Sequence, residues 1–411
     1  MNGSQSFPAR RSKIAGDPTL RVAVAGYGAF GRNHLRVYRE LEDAGLGVAL
    51  IAAVEPDSVR AAEAAAKFSI PVFSTVDELL SADLGLHAAT VAVPTIHHHA
   101  VAAALLDAGL DLLVEKPLVA TLAEADDLIR RAAKGSRILQ PGHLERFNPA
   151  VLAVQPKLRR PMFFEAHRLS IFTPRSLDVD VVLDLMIHDL DIVLTFGASP
   201  VREVRAVGLP ILSPKVDIAN VRVELESGCV ANFTASRVST ERVRKLRFFE
   251  PRQYVSIDYA RQDLLVIRVD EVAGKRSPAD LLASLPPQVS SLLPPAVAEG
   301  IASGKIDLAK VDPAMIAQFA SMAKIDPAAL AQFISPGGAQ PGLSFSKPEV
   351  TPGEPLRLEI LSFLESVRTR REPHVTARQG RNALELALEI QSTMATHAQR
   401  AGLSDFFEPG T

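Results

Sequence analysis

Two polar sites in this chain have the residue types that proton transfer requires. Lys116 directly follows an apolar run at 110–114, and Asp184 and His188 lie four residues apart in the apolar stretch VVLDLMIHDLDIV. On a helix this spacing places both side chains on one face, together with Asp191. The ordinary pKa of histidine is about 6.5 and that of lysine about 10.4, so His188 is the easier general base. We expect His188 to accept a hydroxyl proton, Lys116 to stabilise the resulting oxygen and Asp184 to orient the imidazole.

Alone, these side chains are weak evidence for catalysis, because a lysine at a strand end is usually solvated and a histidine on an apolar helix usually belongs to the core. A cofactor bound beside them would favour a catalytic role. The N-terminal segment predicts such a cofactor. VAVAGYGAFG, residues 22–31, is an apolar β-run that breaks into glycines before a helical stretch. The first glycine allows a tight turn, the second lets the backbone approach a pyrophosphate, and the third lets helix and strand pack closely. The predicted contacts to a dinucleotide at this turn are Gly26, Gly28, Ala29, Phe30 and Gly31.

An acidic residue after the next apolar run distinguishes between two dinucleotides. Glu55 closes the run at 48–54 and can accept hydrogen bonds from both adenosine ribose hydroxyls, whereas it would face the 2′-phosphate of NADP. Two like charges about 4 Å apart cost roughly 4 kcal/mol at an effective dielectric constant near 20. We therefore predict NAD. Arg60 lies little more than one helical turn further on, so use of NADP as well is the less favoured alternative.

The elements that position these residues follow from the hydrophobic pattern. Apolar runs alternate with amphipathic helical patterns between Thr19 and about Gln140, which predicts a doubly wound parallel α/β sheet whose ligands bind beyond the carboxyl ends of the strands. Glu55, Pro94 and Glu115 all fall at such strand ends. After Pro149 the runs become longer, which predicts an open mixed or antiparallel sheet with helices, an α+β arrangement. The predicted strands are 22–25, 48–54, 89–93, 110–114, 138–139 and 163–171, with further strand-like runs at 220–238 and 245–269 and a helix at about 182–196.

Composition divides the chain into four parts. Residues 275–353 are rich in Ala and Pro and contain two similar decapeptides, KVDPAMIAQF at 310–319 and KIDPAALAQF at 324–333, each typical of a short helix that begins at Asp-Pro. A helical insertion is the favoured interpretation and a partly disordered linker is the alternative. The predicted parts are a flexible tail at 1–19, a dinucleotide-binding domain at 20–145, a substrate and oligomerisation domain at 146–274 and 354–403, and the insertion at 275–353.

Charge and cysteine content exclude several classes of function. Lys and Arg number 45 against 47 Asp and Glu, a net charge of -2, which argues against nucleic acid or an anionic membrane as the main partner. There is one cysteine, Cys229, and the first residues have no apolar stretch typical of a signal peptide, so we expect a cytoplasmic protein. Three histidines at 97–99 suggest a metal site, but neighbouring side chains diverge and no other ligand completes the set, so we expect no metal.

The segment GHLERFNPA at 142–150 follows the fifth predicted strand. Its Arg146 and Asn148 have the donors that a polar or anionic substrate requires, and we expect them to contact it. An interdomain hinge is the alternative for this segment.

Together these residues resemble the Gfo/Idh/MocA oxidoreductase family over about 20–270 and 354–400. The resemblance rests on GYGAFG at 26–31, on Pro94, Thr95 and His98, on the tripeptide EKP at 115–117, and on Asp184, His188 and Asp191. It implies a Rossmann domain, a second domain whose open sheet forms homodimers or homotetramers, and a Lys-Asp-His group beside the nicotinamide. It also implies a cis peptide bond before Pro117. The further residues that it implies in cofactor binding are Pro94, Thr95, His98, Glu115 and Lys116.

Within the family, GHLERFNPAV resembles the subgroup that oxidises the C3 hydroxyl of UDP-N-acetylglucosamine to a ketone ahead of transamination, on the route to 2,3-diamino sugars of some lipid A molecules. This resemblance implies a sugar-nucleotide substrate and a downstream aminotransferase as partner. The insertion departs from typical family members. A dehydrogenase of a free cyclitol or aldose, a non-catalytic regulator that senses a dinucleotide, and a redox-cycling glycosidase are the alternatives.

Overall fold

A six-stranded parallel sheet forms the N-terminal half of the fold. The computed structural model describes residues 19–172, 179–270, 295–303 and 342–406. Along this first sheet the strands follow the order β3-β2-β1-β4-β5-β6, and every neighbouring pair is parallel. The change of direction at β1 and β4 makes the sheet doubly wound, which confirms the predicted α/β fold. The strands are β1 (Leu20–Ala25), β2 (Val48–Val54), β3 (Val72–Phe73), β4 (Ala88–Val91), β5 (Asp111–Glu115) and β6 (Leu139–Gly142).

Five helices accompany this sheet, and their ends follow local sequence signals. The Asp57 side chain accepts a hydrogen bond from Arg60 N at the start of the second helix. Thr121 and Glu124 form a complete capping box at the start of the fifth, as their spacing predicts. The helices are α1 (Ala29–Asp43), α2 (Ser58–Phe68), α3 (Val76–Ser81), α4 (His98–Asp107) and α5 (Leu122–Gly135).

A mixed eight-stranded sheet forms the second half, in the order β14-β13-β12-β11-β7-β10-β9-β8. Only the central pair β7 and β10 is parallel among the described pairs, so the predicted mixed sheet is confirmed. The strands are β7 (Phe163–Ile171), β8 (Val201–Leu209), β9 (Ile218–Leu225), β10 (Val230–Ser239), β11 (Val243–Glu250), β12 (Gln253–Asp258), β13 (Asp263–Asp270) and β14 (Gly342–Ser346). Strand β8 was not predicted. The predicted run at 245–269 is divided into β11, β12 and β13, and a turn at Pro251 and Arg252, where Arg252 has φ +63°, separates the first two.

One face of this sheet is covered by helices, and the core lies between them. Side chains of alternate strand positions, among them Phe164, Phe233 and Phe248, are fully or almost fully buried there. The predicted helix at about 182–196 is present, but its first part, Val182–Met186, is a π-helical turn. The helices of this half are α6 (Pro149–Val154) and α7 (Ile187–Gly197), and α8 (Pro295–Ala302) lies in the predicted insertion.

Two long helices complete the described chain, α9 (Pro355–Thr369) and α10 (Ala377–Arg400). Both fall within 354–403, which we predicted as part of the second domain. α10 does pack against that half, since Leu386, Ile390 and Met394 belong to its core. α9 instead packs on the first half, because its Ile360 and Phe363 belong to the core cluster of the parallel sheet.

The predicted insertion is described only in part. β14 lies within it and pairs antiparallel with β13, so Phe345 stands opposite Ile267 and the second sheet extends into this segment. The two decapeptides at 310–319 and 324–333 lie outside the described residues, as do residues 1–18 of the predicted tail. In the ranges that are described, no helix is long and apolar enough to cross a membrane.

Candidate functional site

The turn after β1 has the geometry that a bound pyrophosphate requires. Gly26 has φ +101°, and a Cβ on it would lie 2.5 Å from the carbonyl oxygen of Ala92. A Cβ on Gly31 would lie 2.0 Å from the carbonyl oxygen of Gly26, so α1 packs directly on the turn. At Gly28, by contrast, a Cβ would meet no described heavy atom within 4 Å. This open space lies at the N-terminus of α1, where free N–H groups and the helix dipole favour an anion.

Glu55 lies beside this turn and is almost fully buried. Its carboxylate accepts hydrogen bonds from Tyr27 N at 2.9 Å and Asp57 N at 3.0 Å. Arg60 pairs with the same carboxylate at 2.9 Å, and its side chain is half exposed. The cationic neighbour noted in the sequence is therefore in direct contact with Glu55. A carboxylate has about four acceptor positions, so Glu55 keeps capacity for a ribose hydroxyl.

The loop after β4 is tied to the loop after β5 by His98. One ring nitrogen lies 2.9 Å from the carbonyl oxygen of Val93, and the other lies 3.0 Å from that of Pro117. His98 is buried, so its part in the predicted cofactor site is to hold these two loops together and not to contact a ligand at the surface. Pro94 and Thr95 are more exposed and lie at the same strand edge as Gly26. The peptide bond between Lys116 and Pro117 is cis, as the resemblance implies.

Lys116 bridges the two halves of the molecule. Its Nζ donates a hydrogen bond to the main-chain carbonyl oxygen of Asp184 at 2.7 Å, and the Asp184 carboxylate lies 3.8 Å away. Burial lowers the pKa of Lys116, while the charges of Asp184 and Glu115 oppose that shift. The Lys116 side chain is 12% exposed, so it reaches the edge of the site.

His188 lies on α7, directly after the π-helical turn, and is 9% exposed. Its Nδ1 has no hydrogen-bond partner among the residues that the structure describes. Burial holds the pKa of His188 well below its ordinary value, and the positive charges of Lys116, Arg168 and Arg244 lower it further. The imidazole is therefore neutral at physiological pH, and a neutral imidazole has one ring nitrogen that can accept a proton.

The predicted role of Asp184 toward His188 is not supported by the geometry. Within the described residues the Asp184 carboxylate makes no hydrogen bond to His188 and lies next to Lys116 instead. The reason is local: Asp184 belongs to a π-helical turn, so a spacing of four does not place it on the face that a regular α-helix would give. Asp191, the third residue of the predicted face, lies 3.5 Å from Arg146 and is buried.

Sequence reasoning missed a buried ion cluster behind His188. Arg168 on β7 contacts Asp189 at 2.7 and 3.0 Å and Glu145 at 3.0 Å, and its guanidinium stacks over the Tyr259 ring at 5.1 Å. The cluster links β7 to the start of α7 and so fixes the residue next to His188. One signal was available, since Arg168 falls at an inward position of the strand alternation after Phe164 and Ala166.

Arg146 and Asn148, the predicted substrate contacts, have internal roles. Arg146 is 2% exposed, and its guanidinium donates to the Thr195 hydroxyl and to the His374 carbonyl oxygen. Asn148 is also buried, where it caps α6 and donates to the carbonyl oxygen of Tyr259 at 3.0 Å. Their donors face the protein interior, because the segment packs against α7 and α9. This placement agrees better with the alternative of a structural connection between the two halves.

The three histidines at 97–99 diverge, as neighbouring residues at a helix start do. His98 faces backbone carbonyls, and His99 pairs with Asp127 at 3.0 Å. Within the described part of the chain, no group of three or more His, Cys, Asp or Glu side chains could hold a metal ion.

The glycine turn and Lys116 follow the carboxyl ends of two strands of the same parallel sheet, and Lys116 lies close enough to His188 to lower its pKa. Comparison with known proteins agrees with this reading. A family profile described as an oxidoreductase family with an NAD-binding Rossmann fold matches residues 20–143, and the profile of the GFO/IDH/MocA C-terminal domain matches residues 151–252.

Two curated relatives illustrate the range of the sequence matches. A UDP-N-acetylglucosamine 3-dehydrogenase of Acidithiobacillus ferrooxidans is 39% identical over 247 residues, which cover 60% of this chain and 76% of the relative. An inositol 2-dehydrogenase of Saccharopolyspora erythraea is 31% identical over 187 residues, which cover 43% of this chain and 53% of the relative.

Solved structures show the same fold over almost the whole chain. A crystal form of the Acidithiobacillus ferrooxidans enzyme aligns with a TM-score of 0.72 at 29% identity, covering 93% of this chain and 99% of that one. An oxidoreductase from Agrobacterium radiobacter, solved with NAD+, L-tartaric acid and magnesium, aligns with a TM-score of 0.67 at 13% identity, which shows likeness of fold alone.

Proposed function

The chain belongs to the Gfo/Idh/MocA family of NAD-binding oxidoreductases, and on this premise we propose that it oxidises the C3 hydroxyl of UDP-N-acetylglucosamine to a ketone. The similarity to a UDP-N-acetylglucosamine 3-dehydrogenase over 76% of that relative supports the substrate. The observation that carries the chemistry is the approach of Lys116 and Asp184 next to a neutral His188. The Lys116 ammonium is a cation held in a fixed position, and the neighbouring His188 imidazole is a base that can accept a proton.

The roles of the residues follow from their protonation states. Neutral His188 accepts the proton of the substrate hydroxyl at a ring nitrogen. The Lys116 ammonium donates to the same oxygen and stabilises its developing negative charge, while the carbonyl and carboxylate of Asp184 hold the ammonium in place. When bound at the turn from Gly26 to Gly31, NAD supplies the acceptor for the hydride. Both side chains are largely buried, so little water contacts these two groups.

A direct assay tests this proposal. Purified protein is mixed with NAD and UDP-N-acetylglucosamine, together with a sugar-nucleotide aminotransferase and glutamate that consume the ketone, and NADH absorbance is followed. We expect steady production of NADH that depends on the sugar nucleotide. NADH from myo-inositol or a free aldose, but not from the sugar nucleotide, would overturn the substrate and favour the cyclitol alternative that the inositol 2-dehydrogenase relative suggests.

Binding of NAD without any turnover would favour the alternative of a regulator that senses a dinucleotide. Calorimetry of NAD binding therefore accompanies the assay, and a Lys116→Ala variant reports the background rate. A protein that binds NAD as tightly as an active family member but oxidises none of these sugars would contradict the proposed reaction and leave the fold unaffected.

We further propose a homodimer or homotetramer that assembles through the open face of the second sheet. Several large apolar side chains are exposed on or beside the strands of this sheet, namely Leu209, Ile211, Leu212, Phe249 and Leu265. Exposed apolar patches of this kind are typical of protein interfaces. Light scattering of the purified chain tests the assembly, and a monomer at all concentrations would contradict it.

The expected cytoplasmic location and an aminotransferase that takes the ketone complete the proposal. The one cysteine, Cys229, is buried, and burial raises the pKa of its thiol to about 11. Such a thiol is inert and is compatible with a reducing compartment. Cell fractionation tests the location, and co-purification with a sugar-nucleotide aminotransferase tests the partner.

A further inference from the structure

Arg244 lies where the buried face of the second sheet opens toward the candidate catalytic groups. It stands on β11 directly opposite Arg168 of β7 in the strand register, and the side chains of such a pair share one face of the sheet. Two and four positions further along β11, Leu246 and Phe248 are fully buried on that face. Arg244 itself is exposed, so the core ends at this residue.

Its charge has no counter-ion in the described structure. Besides burial, the charges of Lys116, Arg168, His143 and Arg244 lower the pKa of His188. Lys116 is paired with Asp184, and Arg168 with Asp189 and Glu145. The Arg244 guanidinium has no hydrogen-bond or ion-pair partner within residues 19–172, 179–270, 295–303 and 342–406. Burial lowers its pKa and repulsion by Arg168 lowers it further, while the charges of Glu145 and Asp189, which pair with Arg168, oppose the shift. An unpaired cation that is partly desolvated and repelled by a neighbour gains most from a bound anion.

The reacting end of the substrate supplies no such anion, because the sugar of a sugar nucleotide is neutral. Its diphosphate is the part that carries negative charge. A guanidinium binds phosphate oxygens through two parallel hydrogen bonds, which a lysine cannot do in the same geometry. Arg146, the arginine that the sequence favoured for this task, is buried with its donors in use.

We propose that Arg244 binds the diphosphate of a nucleoside-diphosphate sugar and thereby selects this class over free sugars and cyclitols. This inference rests on the proposed function. Because Lys116 and His188 hold the hydroxyl that reacts, Arg244 contributes to recognition and not to the chemical step. The bound diphosphate also offsets the positive charge of Arg244, which lowers the pKa of His188. Substrate binding therefore raises that pKa and makes the imidazole a stronger base.

The test is Arg244→Gln, with Arg202→Gln as matched control. Arg202 is an exposed arginine on the edge strand β8 whose partner is Glu224, so it loses the same charge away from the site. Two readouts are measured for each protein: KM and kcat with UDP-N-acetylglucosamine, and the affinity for UDP alone by calorimetry in the presence of NAD. Arg244→Lys serves as the conservative variant, and melting temperatures verify that all variants fold.

We expect Arg244→Gln to raise KM for the sugar nucleotide and to weaken UDP binding by about tenfold or more, while kcat and the affinity for NAD change by no more than about twofold. Arg244→Lys should lie between the wild type and Arg244→Gln, and Arg202→Gln should match the wild type. The acid limb of the kcat/KM profile should move to higher pH in Arg244→Gln, because a positive charge near His188 is gone.

The outcomes separate this inference from the proposed function. If Arg244→Gln keeps the wild-type KM and UDP affinity, the role of Arg244 is wrong although the reaction stands. If the wild type oxidises no sugar nucleotide but binds UDP, and Arg244→Gln does not bind it, the reaction is wrong and the anion site stands. If the wild type neither oxidises a sugar nucleotide nor binds UDP, both are overturned.

Discussion

Lys116 is held by Asp184 at two points, through the main-chain carbonyl oxygen at 2.7 Å and the carboxylate at 3.8 Å. The two residues come from different halves of the molecule, the end of β5 and the turn before α7. The lysine ammonium is therefore fixed only when the halves are assembled, and Asp184 acts on the lysine and not on the imidazole.

Replacement of the Asp184 carboxylate tests this assignment. In Asp184→Asn the carbonyl contact is retained but the negative charge that raises the pKa of Lys116 is lost, so the pKa of the lysine falls further. If charged Lys116 is required, the basic limb of the kcat/KM profile moves to lower pH and the acid limb stays in place. Movement of the acid limb alone would instead show that Asp184 acts on His188.

Lys116→Ala should reduce kcat by about 10²- to 10³-fold, the range for loss of one group that stabilises an oxyanion. The affinity for NAD should change much less than kcat, because the glycine turn and Glu55 supply most of the predicted dinucleotide contacts. Steady-state kinetics and calorimetry measure the two effects. Lys134→Ala, at an exposed position near the end of α5, is the control and should be indistinguishable from the wild type. Near-normal kcat in Lys116→Ala would contradict the role given to the lysine.

The pH dependence of kcat/KM reports on His188. Since burial and nearby cations hold its pKa well below 6.5, the base is neutral at pH 6.5 and activity should be retained there. Activity should fall only as the pH drops through that lowered pKa, where the imidazole takes up a proton. His188→Gln should reduce kcat by about 10²- to 10⁴-fold and remove this limb. An acid limb centred at or above pH 6.5 in the wild type would be inconsistent with the buried, neutral imidazole.

Two glycines of the dinucleotide turn should respond differently to the same substitution. Gly28→Ala adds a methyl group into open space, so the protein should fold normally but bind NAD at least about tenfold more weakly. Gly31→Ala places a Cβ 2.0 Å from the Gly26 carbonyl oxygen, so it should cost about 1–3 kcal/mol of stability or more. Thermal melts and NAD titrations distinguish the two. Equal melting temperatures and equal NAD affinities for both variants would contradict the geometry of the turn.

Preference for NAD over NADP should depend on Glu55 and Arg60 in opposite directions. Glu55→Gln removes the charge that faces a 2′-phosphate and should lower the ratio of NAD to NADP efficiency by about tenfold or more, with the amide preserving part of the hydrogen bonding. Arg60→Ala removes the one cation that contacts Glu55 within the described residues and should raise the ratio. Kinetics with both cofactors measure it. If the ratio of NAD to NADP efficiency is unchanged in both variants, residues other than Glu55 and Arg60 determine the choice of cofactor.

The parts of the site that could be predicted from sequence are those encoded by neighbours along the chain. The glycine turn, the strand-end Lys116 and the capping box at Thr121 each depend on spacing within a few residues, and the structure contains each of them. His188 also lies where the apolar pattern places it, on the buried helix α7.

The remainder depends on contacts that spacing cannot show. The π-helical turn changes the direction of Asp184, so the prediction from regular α-helical spacing was wrong for its partner. Arg146 lies in the segment that we expected to contact the substrate. Packing determines whether a side chain points inward or outward, and the Arg146 side chain points inward. Arg168 and Arg244 become neighbours only through the register of β7 and β11.

The most direct test of the proposed reaction follows the transferred hydrogen. UDP-N-acetylglucosamine carrying deuterium at C3 is incubated with the protein, NAD and an aminotransferase, and NADH is examined by mass spectrometry. The proposal predicts that NADH gains the deuterium and that the sugar becomes a 3-ketone, at a rate that falls by about 10²- to 10³-fold in Lys116→Ala. NADH without deuterium, or no NADH from this substrate while NAD binds normally, would contradict the proposed function.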